Sequence, residues 1–174
     1  MANTYIAIAT VTVCSGGAAN IEFTSIPQTY TDLVLMTSLR STDTASNWGA
    51  AGIRFNGDSG SNYYAIELYG TGSAAGSGGG SASTSLNAGR PNANGTTANT
   101  FSNATLYIPN YTSSNQKSTS EDSVTENNAT AALSPLVAGR WTGSSAITSM
   151  VLTPSGGFSW MQYSTATLYG IKNS

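Results

Sequence analysis

A period of two runs through most of this chain and limits what it can become. In "DLVLMTSLRS", Leu33, Leu35, Thr37 and Leu39 fall on one face, with Val34, Met36, Ser38 and Arg40 on the other. Extended backbone sends successive side chains to opposite sides, so the spacing predicts a strand. "NATLYIPN" gives Ala104, Leu106 and Ile108 a common face and stops at Pro109, which cannot donate to a ladder. "YAIELYG" sets Tyr64, Ile66 and Leu68 against Ala65, Glu67 and Tyr69, with the Glu67 carboxylate expected to face solvent or a neighbour. The same reading covers Thr4 to Val13, Ala19 to Phe23, Ile147 to Thr153 and Thr165 to Ile171, with weaker strands around Gln116 to Thr125 and Leu133 to Trp141.

Helical spacing is almost absent, so there are no crossover helices of the kind a parallel sheet needs. Short strands separated by Gly, Ser, Asn and Pro clusters predict an all-β fold, an antiparallel β-sandwich, with a jelly roll as the preferred arrangement. The first and last strands are expected within the sheets. A length of 174 residues fits one domain spanning 1–174. One segment breaks the alternation: "TGSAAGSGGGSASTS" at 71–85 runs on into polar sequence up to residue 100. Residues 71–100 therefore read as a long Gly/Ser/Asn-rich surface loop, expected to order against a neighbouring subunit.

Chemistry is scarce. The chain has no histidine, which removes the usual general base, the triads built on imidazole and the commonest zinc ligand. Glu22, Asp58, Glu67, Asp122 and Glu126 could supply a pair of carboxylates facing each other across a cleft, but their spacing selects no pair. The expectation is a protein that is not an enzyme, with no catalytic or metal residues and no cofactor. "NGDSGSN" has the oxygen-rich composition of a calcium loop, through Asn56, Asp58, Ser59 and Asn62, without its alternating acidic ligands or closing Glu. Asn56-Gly57 is a strong turn signal, so this stretch reads as a corner.

Charged residues make up 8% of the chain and the net charge is −2. Solubility must then come from Ser, Thr, Asn and Gly, a surface that enters interfaces without the desolvation cost of Lys or Glu. Arg40, Arg54, Arg90, Lys117, Arg140 and Lys172 are scattered singly, which argues against a nucleic-acid partner. No stretch approaches a membrane span. Cys14 is the one cysteine and is expected to be a small buried side chain in the first strand. The motif N-x-[ST] at Asn94, Asn103, Asn110 and Asn128 follows from composition alone. Trp48, Trp141, Trp160, Tyr63, Tyr64, Tyr69, Tyr107, Tyr111 and Tyr163 serve either a core, an interface or stacking on a glycan.

"IPQTYTDLVL" at 26–35, "RFNGDSGSNY" at 54–63 and "TLYIPNYTSS" at 105–114, with "ENNATAA" at 126–132 and the closing "YGIKNS", resemble small virion proteins of tailed bacteriophages, especially phages of marine and freshwater bacteria. The resemblance runs from Thr4 to Ser174 and carries no catalytic motif. It implies a virion structural protein. One form would be a capsid decoration or cement protein, docked on the major capsid protein as a homo-oligomer, with a trimer favoured. The alternative is a tail or fibre protein whose sandwich binds a host surface glycan. Low charge, compact length and the absence of a coiled-coil trimeriser favour decoration.

Overall fold

The computed structural model describes residues 4–44, 47–125 and 132–172. Its strands are β1 (Tyr5–Thr12), β2 (Ile21–Phe23), β3 (Asp32–Leu39), β4 (Ala51–Phe55), β5 (Tyr63–Gly70), β6 (Ala75–Gly79), β7 (Leu86–Asn87), β8 (Ser102–Ile108), β9 (Lys117–Val124), β10 (Ser134–Trp141), β11 (Met150–Pro154) and β12 (Thr165–Ile171). Among the described residues the one helical element is a 3-10 turn at Ser155–Gly157. All named strand pairs are antiparallel.

Eight strands form one sheet, in the order β1-β12-β3-β8-β9-β10-β5-β6, and four form a second, in the order β2-β11-β4-β7. The two pack face to face as a β-sandwich. With β5, β6, β9 and β10 set aside, two four-stranded sheets remain, β1-β12-β3-β8 and β2-β11-β4-β7. In that reduced set the chain changes sheet between all successive strands except β4 and β7, which share the smaller sheet. The other four strands extend the larger sheet beyond β8 as a wing. Leu33, Leu35 and Leu39 of β3, Leu106 and Ile108 of β8, Ile53 and Phe55 of β4, and Met150 and Leu152 of β11 fill the space between the sheets. Fully burying such a side chain contributes about 1.5–3 kcal/mol.

The predicted strands are present with trimmed ends, and β1 departs from strict alternation. Its register against β12 slips between Ala7 and Ala9, a bulge that adds Ile8 as an extra residue. Ile8 and Val11, which an unbroken strand would send to opposite faces, therefore both pack on the core.

Three expectations need correction. The first concerns residues 71–100, which are no uninterrupted loop. Ala75–Gly79 pairs with β5 as β6, and Leu86–Asn87 pairs with β4 as β7. Glycine and serine carry no strand signal of their own, but β5 presents a free edge whose backbone groups order them. The second concerns Cys14, which lies beyond β1 and is exposed. Val13 is the last residue of this stretch to turn into the core, and Gly16 and Gly17 then reverse the chain with positive φ.

The third concerns the faces of β5. Glu67 is buried, whereas Ile66 and Leu68 are each 59% exposed. Parity explains the inversion: Tyr63, fully enclosed at the start of the strand, fixes one face inward, and Ala65, Glu67 and Tyr69 share it. β9 and β10 follow the same rule, anchored by buried Lys117 and Trp141. Thr119, Glu121 and Ser123 therefore turn inward, while Leu136, also 59% exposed, and Ala138 turn outward. The inner face of the wing carries Glu67, Lys117, Thr119, Glu121 and Ser123 beside Tyr63, Val137 and Trp141, and the outer face carries Ile66, Leu68 and Leu136 beside Ser120, Asp122 and Arg140. Asn128 and Glu126 lie outside the described residues.

Candidate functional site

The Asn56–Asn62 loop joins β4 of the smaller sheet to β5 of the larger and is a corner between sheets. Asn56 (φ 53) and Gly57 (φ 70) both adopt left-handed backbone, as a tight Asn-Gly turn requires. Asn56 Oδ1 accepts from the Thr148 amide at 2.8 Å, and its Nδ2 donates to the Ala146 carbonyl at 2.7 Å. Asp58 caps the loop by accepting from the Gly60 amide and Asn62 Nδ2. Below it, the Trp141 indole donates to Asp58 Oδ2 at 2.7 Å, and Tyr63 Oη donates to the Asp58 carbonyl and accepts from the Phe55 amide, both at 3.0 Å. The bond from Trp141 is the main cause holding the Asp58 carboxyl below its usual range, followed by those from Gly60 and Asn62. The side chains of Asn56, Asp58 and Asn62 are all used structurally.

Four of the nine aromatic candidates are core. Trp141, Trp160, Tyr63 and Tyr111 are buried, with Tyr111 Oη donating to the Pro27 carbonyl and Trp160 Nε1 to the Leu152 carbonyl. Trp48 and Tyr69 are only half-buried, and they flank a pocket of about 240 Å³ lined also by Glu67, Arg90 and Leu133. β5 supplies Glu67 and Tyr69, the connection between β3 and β4 supplies Trp48, and the chain after β7 crosses the inner face of the wing with Arg90. Arg90 grips Glu67 with two donors, Nη2 to Oε2 at 2.6 Å and Nε to Oε1 at 3.3 Å. Asn87 Nδ2 adds a third bond to Oε2 at 3.1 Å. That fork explains how a carboxylate can sit inside: charge-assisted bonds replace its water. Tyr69 lies across Gly76 of β6, where an added Cβ would fall 2.5 Å from the ring. A glycine at this point of β6 gives the ring its bed.

Behind the pair lies Glu121, only 3% exposed, with no hydrogen bond to either carboxylate oxygen. Pairing across the wing puts Glu121 opposite Val137 and Val137 opposite Glu67, in one inward row. Burial pushes the Glu121 carboxyl up to about 7; the neighbouring Asp122 and Glu67 add to this, and Ser123 and Arg90 oppose it.

Arg40 organises the chain that follows Arg90. Its buried guanidinium donates to the carbonyls of Asn94, Thr96, Thr97 and Thr100 at 2.8–3.2 Å. Lys117 does the same for another loop, donating to the carbonyls of Ser113 and Asn115 with its ammonium 6.0 Å from the Trp141 ring centre. Arg54 donates to the Thr84 carbonyl, and Arg140 stacks on Tyr64 at 4.7 Å. These scattered cations serve the fold.

Among the described residues, the candidate carboxylates do not converge. Glu22 is exposed on β2, Asp122 faces outward on β9 and Asp58 holds the corner. Among the described residues, no group of three or more His, Cys, Asp or Glu could hold a metal ion, and no helix is long and apolar enough to cross a membrane. Sequence reading missed Asn87, Arg90, Glu121 and Leu133 as partners of Glu67. The alternation in "KSTSEDSV", tied to the inward side chain of Lys117, carried the signal for Glu121. Compared with known proteins, the chain matches no protein-family model, no curated protein and no solved structure.

Proposed function

We propose that this chain is a non-enzymatic structural protein of a bacteriophage particle, a capsid decoration or cement protein that binds and stabilises the head lattice. The observation that carries the reading is the inverted wing: Ile66, Leu68 and Leu136 lie bare on its outer face while carboxylates are buried beneath. A contiguous exposed apolar stripe on a charge-poor surface marks a place where another protein sits. Leu68 and Leu136 are direct cross-strand neighbours, and Ile66 is paired with Ala138, so the stripe is one surface on a stiff support.

The strand order supports the reading from another side. We take the reduced pair of four-stranded sheets as a jelly roll, a fold of two Greek keys found in viral capsid domains. The resemblance of the quoted strings to phage virion proteins points the same way. On this reading the major capsid protein and sister copies, favoured as a trimer, cover the stripe, and repeated contacts on a symmetric lattice give strength that one contact lacks. The protein is then located on the particle surface.

The test is copy number and position in purified particles. Quantitative mass spectrometry with an image reconstruction is expected to give on the order of hundreds of copies on the head, with the β5–β10 face turned to a neighbour. A handful of copies at the tail would overturn the decoration reading and favour the tail or fibre alternative.

A further inference from the structure

We propose that the Trp48–Tyr69 pocket is a binding site for one neutral pyranose ring. The proposal is independent of where on a particle the protein sits.

The pocket contains the two elements that sugar recognition needs. Two half-buried ring systems, Trp48 and Tyr69, line it beside a fixed pair of polar groups, Glu67 and Arg90, with Glu67 also held by Asn87. A pyranose has an apolar C–H face that packs on an aromatic ring and a rim of hydroxyls that need both donors and acceptors. The Glu67–Arg90 pair offers both. Two guanidinium donors and one amide hydrogen are used within the pair, which leaves further N–H groups of Arg90 and part of the acceptor capacity of Glu67 free for adjacent hydroxyls. Their side chains remain accessible, at 26% for Arg90 and 11% for Glu67.

The polar groups are held in advance. Arg90 is fixed by its fork on Glu67 and by a following segment that Arg40 anchors through the Asn94 and Thr96 carbonyls. Tyr69 rests on Gly76. Ordering costs that a loose site would meet on binding are thus already met in folding.

Charge and size narrow the ligand. Arg90 is neutralised by Glu67, and a second carboxyl, Glu121, lies behind them, so a phosphate or a sialic acid would meet no surplus positive charge. At about 240 Å³ the pocket is smaller than the several hundred Å³ of a drug-sized site, and fits a single ring.

The test uses the intact chain and methyl glycosides of glucose, galactose and mannose, with N-acetylneuraminic acid as the anionic probe. Titration followed by the indole N–H signals is expected to move Trp48 saturably with at least one methyl glycoside, leaving buried Trp141 and Trp160 unmoved. Trp48→Ala is expected to weaken binding by about tenfold or more, with its thermal melting checked against the parent. Tyr5→Ser and Tyr163→Ser, which remove exposed rings elsewhere, are expected to leave affinity unchanged. No saturable shift with any of the three glycosides, tighter binding of the anionic sugar, or loss of binding in the Tyr5 or Tyr163 variant in place of the Trp48 variant would each overturn the proposal. None of these outcomes bears on copy number, so the assembly reading stands or falls separately.

Discussion

Arg40 and Glu121 show how single buried charges govern this fold. The Arg40 guanidinium satisfies carbonyls of Asn94, Thr96, Thr97 and Thr100 that have left any ladder, so removing it strands several acceptors at once. Arg40→Met should lower stability by about 3 kcal/mol or more, and Arg40→Lys should recover only part, because an ammonium lacks the planar fork. Urea unfolding of the three proteins measures this directly. Glu121 makes a prediction of the opposite kind. Its native pKa of about 7 lies above the ordinary 4.5, so between those values the folded chain holds a proton that the unfolded chain has released. The stabilising contribution is therefore complete below the unfolded value and is lost as pH rises toward the folded one, by up to about 3 kcal/mol in all. Glu121→Gln should flatten that slope, raising the urea midpoint near about pH 8 relative to the parent while changing it little near about pH 5. A parent with no loss of stability over this range would contradict the assignment.

At the scale of elements, the legible part of the sequence is the part where apolar side chains alternate. β3, β8 and β12 could be read because Leu33, Leu35, Leu106, Ile108, Ala166 and Leu168 mark an inward face. β6 could not, since "AGSGG" gains its strand from the free edge of β5 and not from its own side chains. β5 was legible as a strand but not in orientation: alternation shows that two faces exist, and only the buried Tyr63 decides which one is inside. The candidate pocket was hidden for the same reason, because its polar partners come from the chain after β7, far away in sequence. Two element-level outcomes follow. Leu136→Asp, on the outward face, should shift the unfolding midpoint little, within about 0.5 kcal/mol, since that side chain is mostly outside; on the proposed decoration role it should nonetheless abolish association with capsid particles in a pelleting assay. Gly76→Ala should push the Tyr69 ring off β6, visible as altered Tyr69 ring resonances, with the sheet itself retained.

Across the whole molecule, the sheet order joins distant stretches: β1 pairs with β12, β3 with β8 and β5 with β10. Few contacts are local, so little structure can form before long loops close. Refolding from denaturant, followed by Trp fluorescence, should take milliseconds to seconds, far slower than a helical bundle of the same size. The large sheet also ends unequally. On one rim β1 is interrupted by its bulge at Ile8, and on the other β6 keeps an unshifted register with β5 and carries only small side chains. An unbroken rim accepts an added strand more readily than a bulged one. Endless filaments would require each copy to offer its unbroken rim to the bulged rim of the next. A bulge on one side of the sheet is therefore a built-in obstacle to open-ended strand addition, a safeguard that matters most for a chain with so few charges to keep its copies apart.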